Sequence, residues 1–367
     1  MSGSAGGRGN ARLRRGVGAA GNGPGGADAE DGDPTMNGEG AQTEAERVTE
    51  AARARELVRA AEEVEREAER EAETLTERDT VSAIPFPRLG VSLAFLRRFL
   101  READSVRRLT TKEVCETVVK PLTSQSKLAL AEELSREGAT DSDGRPEVGP
   151  ATLFVSHAWS YNFGHLSEVL LKLPDADNAY LWLDIFSVNQ HEAADVPQEW
   201  WSTTFRKAVA DIGHTVLVLA PWSAPTPLTR AWCLWEIYCT VDANAVLDVR
   251  LSEAEEEAFL EALISRYSDI AKAFAGIDVA SAQAWSARDR DMILEAVRST
   301  VGTSALNKLV LENLREWLAR VARARLEQMP PSERATSLLI NTLANLCTDQ
   351  GHLAEAAALF EEALRGQ

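Results

Sequence analysis

Five short apolar runs, at 151–156, 180–185, 215–220, 245–249 and 277–279, alternate with segments of helical hydrophobic spacing, and this alternation constrains the fold more than any other feature. Runs of this length, bounded by polar or turn residues, read as strands buried on both faces. Between them, Leu166, Val169, Leu170 and Leu173 share one helical face closed by Pro174. Trp201, Phe205, Ala208, Val209 and Ile212 share another, ended by Gly213. Ser252 and Glu255 form a capping box that opens a long helix carrying Phe259, Leu263, Tyr267, Ile270 and Phe274. Strands and helices in this order make an α/β fold, a parallel sheet with helices on both faces.

In such a sheet a ligand sits outside the carboxyl ends of the strands. Those ends carry Ser156, His157 and Trp159 after the first strand, Asp184, Phe186 and Ser187 after the second, and Pro221 and Trp222 after the third. A helix capped by Thr229 follows, apolar on most of its circumference through Trp232, Trp235, Ile237 and Cys239, with a single carboxylate, Glu236, in its middle. Burying an unpaired charge is costly, so Glu236 is either paired, half-exposed, or the lining of a cleft. The neighbours carry the same ambiguity. Asp184 can cap the following loop, His157 can be a satisfied hydrogen-bonding residue, and Trp159 and Trp222 suit a core as well as a ligand face. Trp232 and Trp235 read as core, as does Trp201. Together, aromatic faces, hydroxyls and one acid suit a ligand with a flat ring and a polyhydroxyl part.

Several chemistries are excluded. No GxGxxG or GxxxxGK[ST] follows any of the strands, and no GxSxG elbow occurs, which removes Rossmann dehydrogenases, P-loop NTPases and esterases. A net charge of −18 argues against nucleic-acid binding. Cys115, Cys233, Cys239 and Cys347 include no CxxC pair, and His165, His191 and His214 share no ligand spacing, so neither a disulfide framework nor a metal site is expected. No apolar run is long enough to span a bilayer. The first 27 residues, with Arg8, Arg12, Arg14 and Arg15 and no acid, have the charge of a transit peptide but the glycine content of a disordered tail, and the cytosol is the expected compartment.

The flanks divide by composition. Residues 1–42 are a Gly/Ala-rich tail, expected to be disordered. Residues 43–79 form a charged helix whose thin seam (Leu57, Ala61, Val64, Ala68, Leu75) fits either a solvated helix or a weak self-associating coiled coil. Residues 80–148 read as a helical preface: Val91, Leu93, Leu96, Phe99 and Leu100 in one helix, a second capped by Thr111, a third through Leu128, Leu130 and Leu134. The sheet domain then occupies 149–285, a helical extension 286–329, and a helical hairpin 332–367.

Three stretches of the sheet domain resemble a known family. Phe-Val-Ser-His-Ala-Trp (154–159), the strand ending in Asp184, and Trp-Cys-Leu-Trp-Glu-Ile (232–237) are similar to the motifs of Toll/interleukin receptor/resistance (TIR) domains. Leu-Trp-Leu-Asp-Ile-Phe-Ser-Val-Asn-Gln (181–190) is similar to the core of the related heterokaryon-incompatibility (HET) domains. The resemblance implies a flavodoxin-like parallel sheet and, for many members, cleavage or cyclisation of NAD+ with the motif glutamate, here Glu236, as catalytic acid. It implies NAD+ as a substrate rather than a bound cofactor, with Trp159, Trp222 or Phe186 stacking on its rings, and activity that depends on self-association. In one departure from the family pattern, the loop after Asp184 has no glycine and carries His191 and Trp200-Trp201 instead. The tail from Leu338 resembles a tetratricopeptide (TPR) repeat of the kinesin-light-chain kind, with Ala344, Gly351, Ala356, Phe360 and Ala363 in register. A lone repeat cannot bury its own face, so it is expected to continue an array, pack on the preceding helices, or bind a peptide or protein partner. Two functions therefore stand: an immune- or signalling-type NADase, and a non-catalytic TIR/TPR adaptor.

Overall fold

The computed structural model describes residues 85–366 apart from 175–177, 193–199 and 285, together with Arg59, Glu63 and Arg66. Those three are helical and exposed and belong to a separate unit, residues 1–68. The tail 1–42 and the seam from Leu57 to Leu75 fall outside the described residues.

Six strands form one mixed sheet: β1 (Leu89–Ser92), β2 (Val148–Pro150), β3 (Leu153–Ser156), β4 (Tyr180–Trp182), β5 (His214–Val218) and β6 (Val246–Arg250), in the order β2-β1-β4-β3-β5-β6. β3 runs parallel to β4 and β5, and β5 parallel to β6, so the first four runs expected from the sequence are strands of one parallel array. Phe154 lies opposite both Trp182 and Thr215, and every residue of β3 and β5 beyond the first is buried, as a sheet covered on both faces requires.

Two expectations are corrected. The segment 80–148 is not purely helical: it contributes β1 and the first residue of β2, which crosses its boundary, and both strands run antiparallel to their neighbours. At three or four residues these strands are too short to show a period, and their pairing spans nearly 60 positions of sequence, so nothing local announces them. Gly90 fits there because a Cβ would stand 2.8 Å from the Leu181 carbonyl oxygen across the pair. The second correction is at 277–279, which adds no strand. Asn307 Oδ1 takes the Val279 N–H at 2.9 Å, occupying a bond that a sheet neighbour would need, and Val279–Ser281 tightens into a 3-10 turn.

One face of the sheet is covered by α1 (Leu93–Glu102), α2 (111–122), α3 (Leu130–Glu137), α4 (Phe163–Leu171) and the single turn α5 (Asp184–Ser187). Ser92 caps α1 by accepting the Phe95 N–H at 3.0 Å. Thr110 rather than Thr111 caps α2, in a reciprocal box with Glu113, and Thr111 is buried as the first helical residue. The other face carries α6 (201–212), α7 (Ala231–Asp242), α8 (Glu253–Ser265), α9 (Tyr267–Ala275), α10 (Ala287–Thr300) and α11 (Thr303–Glu327). Ser252 caps α8, but the Glu255 carboxylate leaves the box and accepts the Trp222 N–H at 2.7 Å. The C-terminal hairpin, α12 (Leu338–Asp349) and α13 (Leu353–Gly366), turns at Gly351, whose φ of +79° a side chain rarely adopts, and α12 packs on α11 and α8. Of the three fates expected for this hairpin, packing on the preceding helices is the one observed.

An ion pair between half-buried Arg98 and the buried Glu147 carboxylate ties α1 to the sheet edge. Glu147, 2% exposed, accepts two bonds from the Arg98 guanidinium, 2.7 Å from Nε and 2.5 Å from Nη2. Arg98→Ala strands this carboxylate without a counter-charge and should cost about 2–4 kcal/mol in denaturant unfolding. Arg101→Ala, on the exposed side of the same helix, should stay within about 0.5 kcal/mol of wild type.

Candidate functional site

The site forms where α7 begins. Its N-cap is Arg230, and no side chain caps the first turn; Thr229, the expected cap, turns back so that Oγ1 donates to the Thr226 carbonyl at 2.8 Å. Instead the backbone is stitched to the segment before α10. Gln283 N–H donates to the Thr229 carbonyl and Ala231 N–H to the Gln283 carbonyl, both at 2.9 Å. This pairing sets the first turn of α10 beside the first turn of α7. A cavity of about 350 Å³ lies between them and the carboxyl ends of β3 and β4. Its size is that of a small-molecule site.

Glu236 is half-buried on this cavity. The Ser156 hydroxyl at the end of β3 donates to its Oε2 at 2.5 Å, and among the described residues no cation pairs with it. Burial pushes its carboxyl up to about 8; the Ser156 hydroxyl pulls down against that, and the Asp184 charge adds to it. Near neutrality the group is therefore a mostly protonated acid with an accessible ionised form. A closed structural ion pair would have held it low.

Asp184 stands just past β4 rather than ending it. It opens α5, takes the Ile185 N–H on Oδ1 at 2.8 Å and the Trp159 indole N–H on Oδ2 at 2.5 Å, and still lines the cavity. Trp159 is half-buried and presents its ring to the same space. His157 also lines the cavity; it is only 6% exposed, its Nε2 has no partner among the described residues, and burial lowers its pKa. The imidazole is therefore neutral at pH 7.

Three expected site residues lie elsewhere. Phe186 is fully buried beneath the sheet face covered by α1–α5, edge-on to Phe95 at 5.4 Å and Phe99 at 5.2 Å, and does not line the cavity. Ser187, 1% exposed, follows it inward because α5 turns away from the cavity. Trp222 packs on Phe259 at 6.0 Å, drawn there by its bond to Glu255, and does not line the cavity. Trp232, expected in the core, is half-buried: it packs against the core and also lines the cavity with Cys233 and Arg230, whereas Trp235 is fully buried as expected. Helical pitch held that signal, since Trp232 and Cys233 precede Glu236 by four and three positions. Lys112 and Glu116 of α2, and Arg288, Asp289 and Met292 of α10, also line the cavity, and no local pattern linked them to Glu236.

Compared with protein-family models, with curated proteins and with solved structures, the chain matches none. Among the described residues no cluster of three metal-ligating side chains occurs, and no helix is long and apolar enough to cross a membrane.

Proposed function

We propose that the chain is a TIR-like effector that cleaves NAD+ at the nicotinamide–ribose bond, with Glu236 as its catalytic residue. The observation that carries this reading is the Glu236 carboxylate itself: held by Ser156, free of any cation among the described residues, and open to a 350 Å³ cavity lined by Trp159 and Trp232. The strand order β4-β3-β5-β6, second-first-third-fourth along the parallel array, supports the flavodoxin-type fold that the sequence motifs imply. The reading puts the protein in the cytosol.

The bond between ribose C1′ and the pyridinium nitrogen breaks, and its electron pair leaves on nicotinamide, which becomes neutral without needing a proton. Positive charge develops on the ribose as an oxocarbenium ion, and ionised Glu236 stabilises it and accepts hydrogen bonds from the ribose hydroxyls. Water then adds at C1′, giving ADP-ribose and a proton. The Trp159 ring, fixed by Asp184, offers a face for the nicotinamide.

The ionised form of Glu236 is the active one in this scheme. Accordingly, kcat/KM for NAD+ should rise with pH and level off above an inflection close to the Glu236 value of about 8. Ser156→Ala removes the hydroxyl that lowers that value and should move the inflection upward. A pH–rate series on both proteins checks it; a flat profile contradicts the role given to Glu236. The direct test of the function is release of nicotinamide from NAD+ by the purified full chain, at dilute and at high protein concentration.

A second reading, a TIR/TPR adaptor without catalysis, has one observation in its favour. The TPR-like hairpin leaves Leu353, Phe360 and Leu364 of α13 exposed at 65%, 37% and 70%, spaced to lie on one helical face. Concentration-dependent self-association with no NAD+ turnover would favour it.

A further inference from the structure

Deepening the nucleotide reading above, on which it partly rests, we propose that the first turns of α7 and α10 form a phosphate site at the mouth of the Glu236 cavity, with Arg230 and Arg288 as its cations. The ligand is thereby assigned to phosphorylated sugars and nucleotides rather than free nucleosides, and α10, outside the sheet, becomes part of its recognition.

The argument begins with α7. A helix N-terminus leaves backbone N–H groups pointing outward and a positive dipole end, and this one has no side-chain cap. Its N-cap, Arg230, is half-buried and lines the cavity, and Arg288 in the first turn of α10 lines it from the other side. Neither arginine has an ion-pair partner among the described residues. A guanidinium pair at a helix N-terminus is the standard chemistry for a phosphate group. The backbone pairing through Gln283 holds these two turns together, so the convergence is built into the fold.

The acids nearby are accounted for. Glu116 is bonded to Lys120 at 2.8 Å, and Asp184 is engaged by the Trp159 indole and the Ile185 N–H. Glu236 is mostly protonated near neutrality. Asp289, whose backbone N–H is bonded to Ser286, is the acid left to balance two arginines.

A second, independent observation points to a ligand. His157 lines the cavity, its Nε2 is buried and unpartnered among the described residues, and its ring already bonds back to the Val155 backbone. A buried nitrogen left this way costs free energy unless a ligand completes it. With the other ring nitrogen donating, Nε2 is an acceptor and calls for a hydroxyl or amine donor. Arg230 and Glu236 stand about 9 Å apart along the α7 axis at a rise of 1.5 Å per residue. A ligand spanning that distance with a phosphate at one end and ribose hydroxyls at the other satisfies both halves of the site.

The test is equilibrium binding to the full chain, by calorimetry or by quenching of the cavity tryptophans, with NAD+, ADP and phosphate-free nicotinamide riboside as probes. Arg288→Ala, at an exposed position, should weaken NAD+ and ADP about ten- to a hundredfold and leave nicotinamide riboside unchanged. Arg298→Ala, on the same helix but away from the cavity, should change none of them. If wild type binds NAD+ and Arg288→Ala binds it equally well, the phosphate site is overturned while the proposed function stands. ADP binding that depends on Arg288, with no nicotinamide released from NAD+, supports the site and removes the function. No binding of either phosphate-bearing probe to wild type overturns both.

Discussion

Glu236→Gln should lower the rate of nicotinamide release from NAD+ by about a hundred- to a thousandfold, the scale on which removing one preorganised electrostatic stabiliser acts. Glutamine keeps the shape of the side chain and can still accept the Ser156 hydroxyl, so the cavity stays formed and what is lost is the negative charge. The variant should also be no less stable than wild type, for a reason that can be worked out in sign. Glu236 titrates at about 8 in the folded protein against an ordinary 4.5, so between those values the folded state holds more protons than the unfolded one. Its contribution to stability is fully present below pH 4.5 and is lost as pH climbs through about 8. Glutamine has no such loss, and the variant should gain on wild type as unfolding is measured from pH 6 to pH 9. Loss of activity together with this gain separates a catalytic role from a structural one. A variant that is inactive and also destabilised at every pH would point to a structural acid.

Phe186→Ala should destabilise the protein by about 3–5 kcal/mol, the range for truncating a fully buried aromatic ring. Its ring meets Phe95, Phe99 and Phe163 within 6.1 Å under the sheet face covered by α1–α5, off the cavity lining. The resemblance to TIR domains had offered this ring as a stacking surface for the ligand, and the two roles separate cleanly by experiment. With Phe186 in the core, denaturant midpoints fall sharply while affinity for NAD+, measured on the folded fraction, stays within twofold. An affinity loss with little change in stability would return Phe186 to the site.

The contrast between Phe186 and Trp159 shows where a sequence reading runs out. Both follow a strand end, and both are aromatic. Strand-end position brought His157, Trp159 and Asp184 to the cavity wall, and Ser156 into the layer behind it against Glu236, because parallel strands must deliver their carboxyl ends to one edge. It failed for Phe186 and Ser187 because one helical turn, α5, starts at Asp184 and rotates successive side chains by about 100° each. Whether a strand ends in a loop or a turn of helix is decided by tertiary packing, and four residues hold too little pattern to tell. Trp222 failed for a different reason: its backbone N–H donates to the Glu255 carboxylate, which the capping-box pattern assigned elsewhere, and its ring packs on Phe259. The parallel strands were legible because buried apolar runs are local. β1, β2 and the α10 wall were not, because each is defined by a partner distant in sequence.

Glu236 gains its meaning from this arrangement. An acid in an apolar helix had three readings from sequence, and the cavity, the Ser156 bond and the lack of a cation among the described residues favour the one in which it lines a cleft. The measurement that tests this most directly is nicotinamide release from NAD+ by the concentrated full chain, wild type beside Glu236→Gln, followed from pH 6 to pH 9. Catalysis by Glu236 predicts release that rises towards an inflection near 8 and nearly vanishes in the variant. Equal release from both proteins, or none from wild type at any concentration, would contradict it.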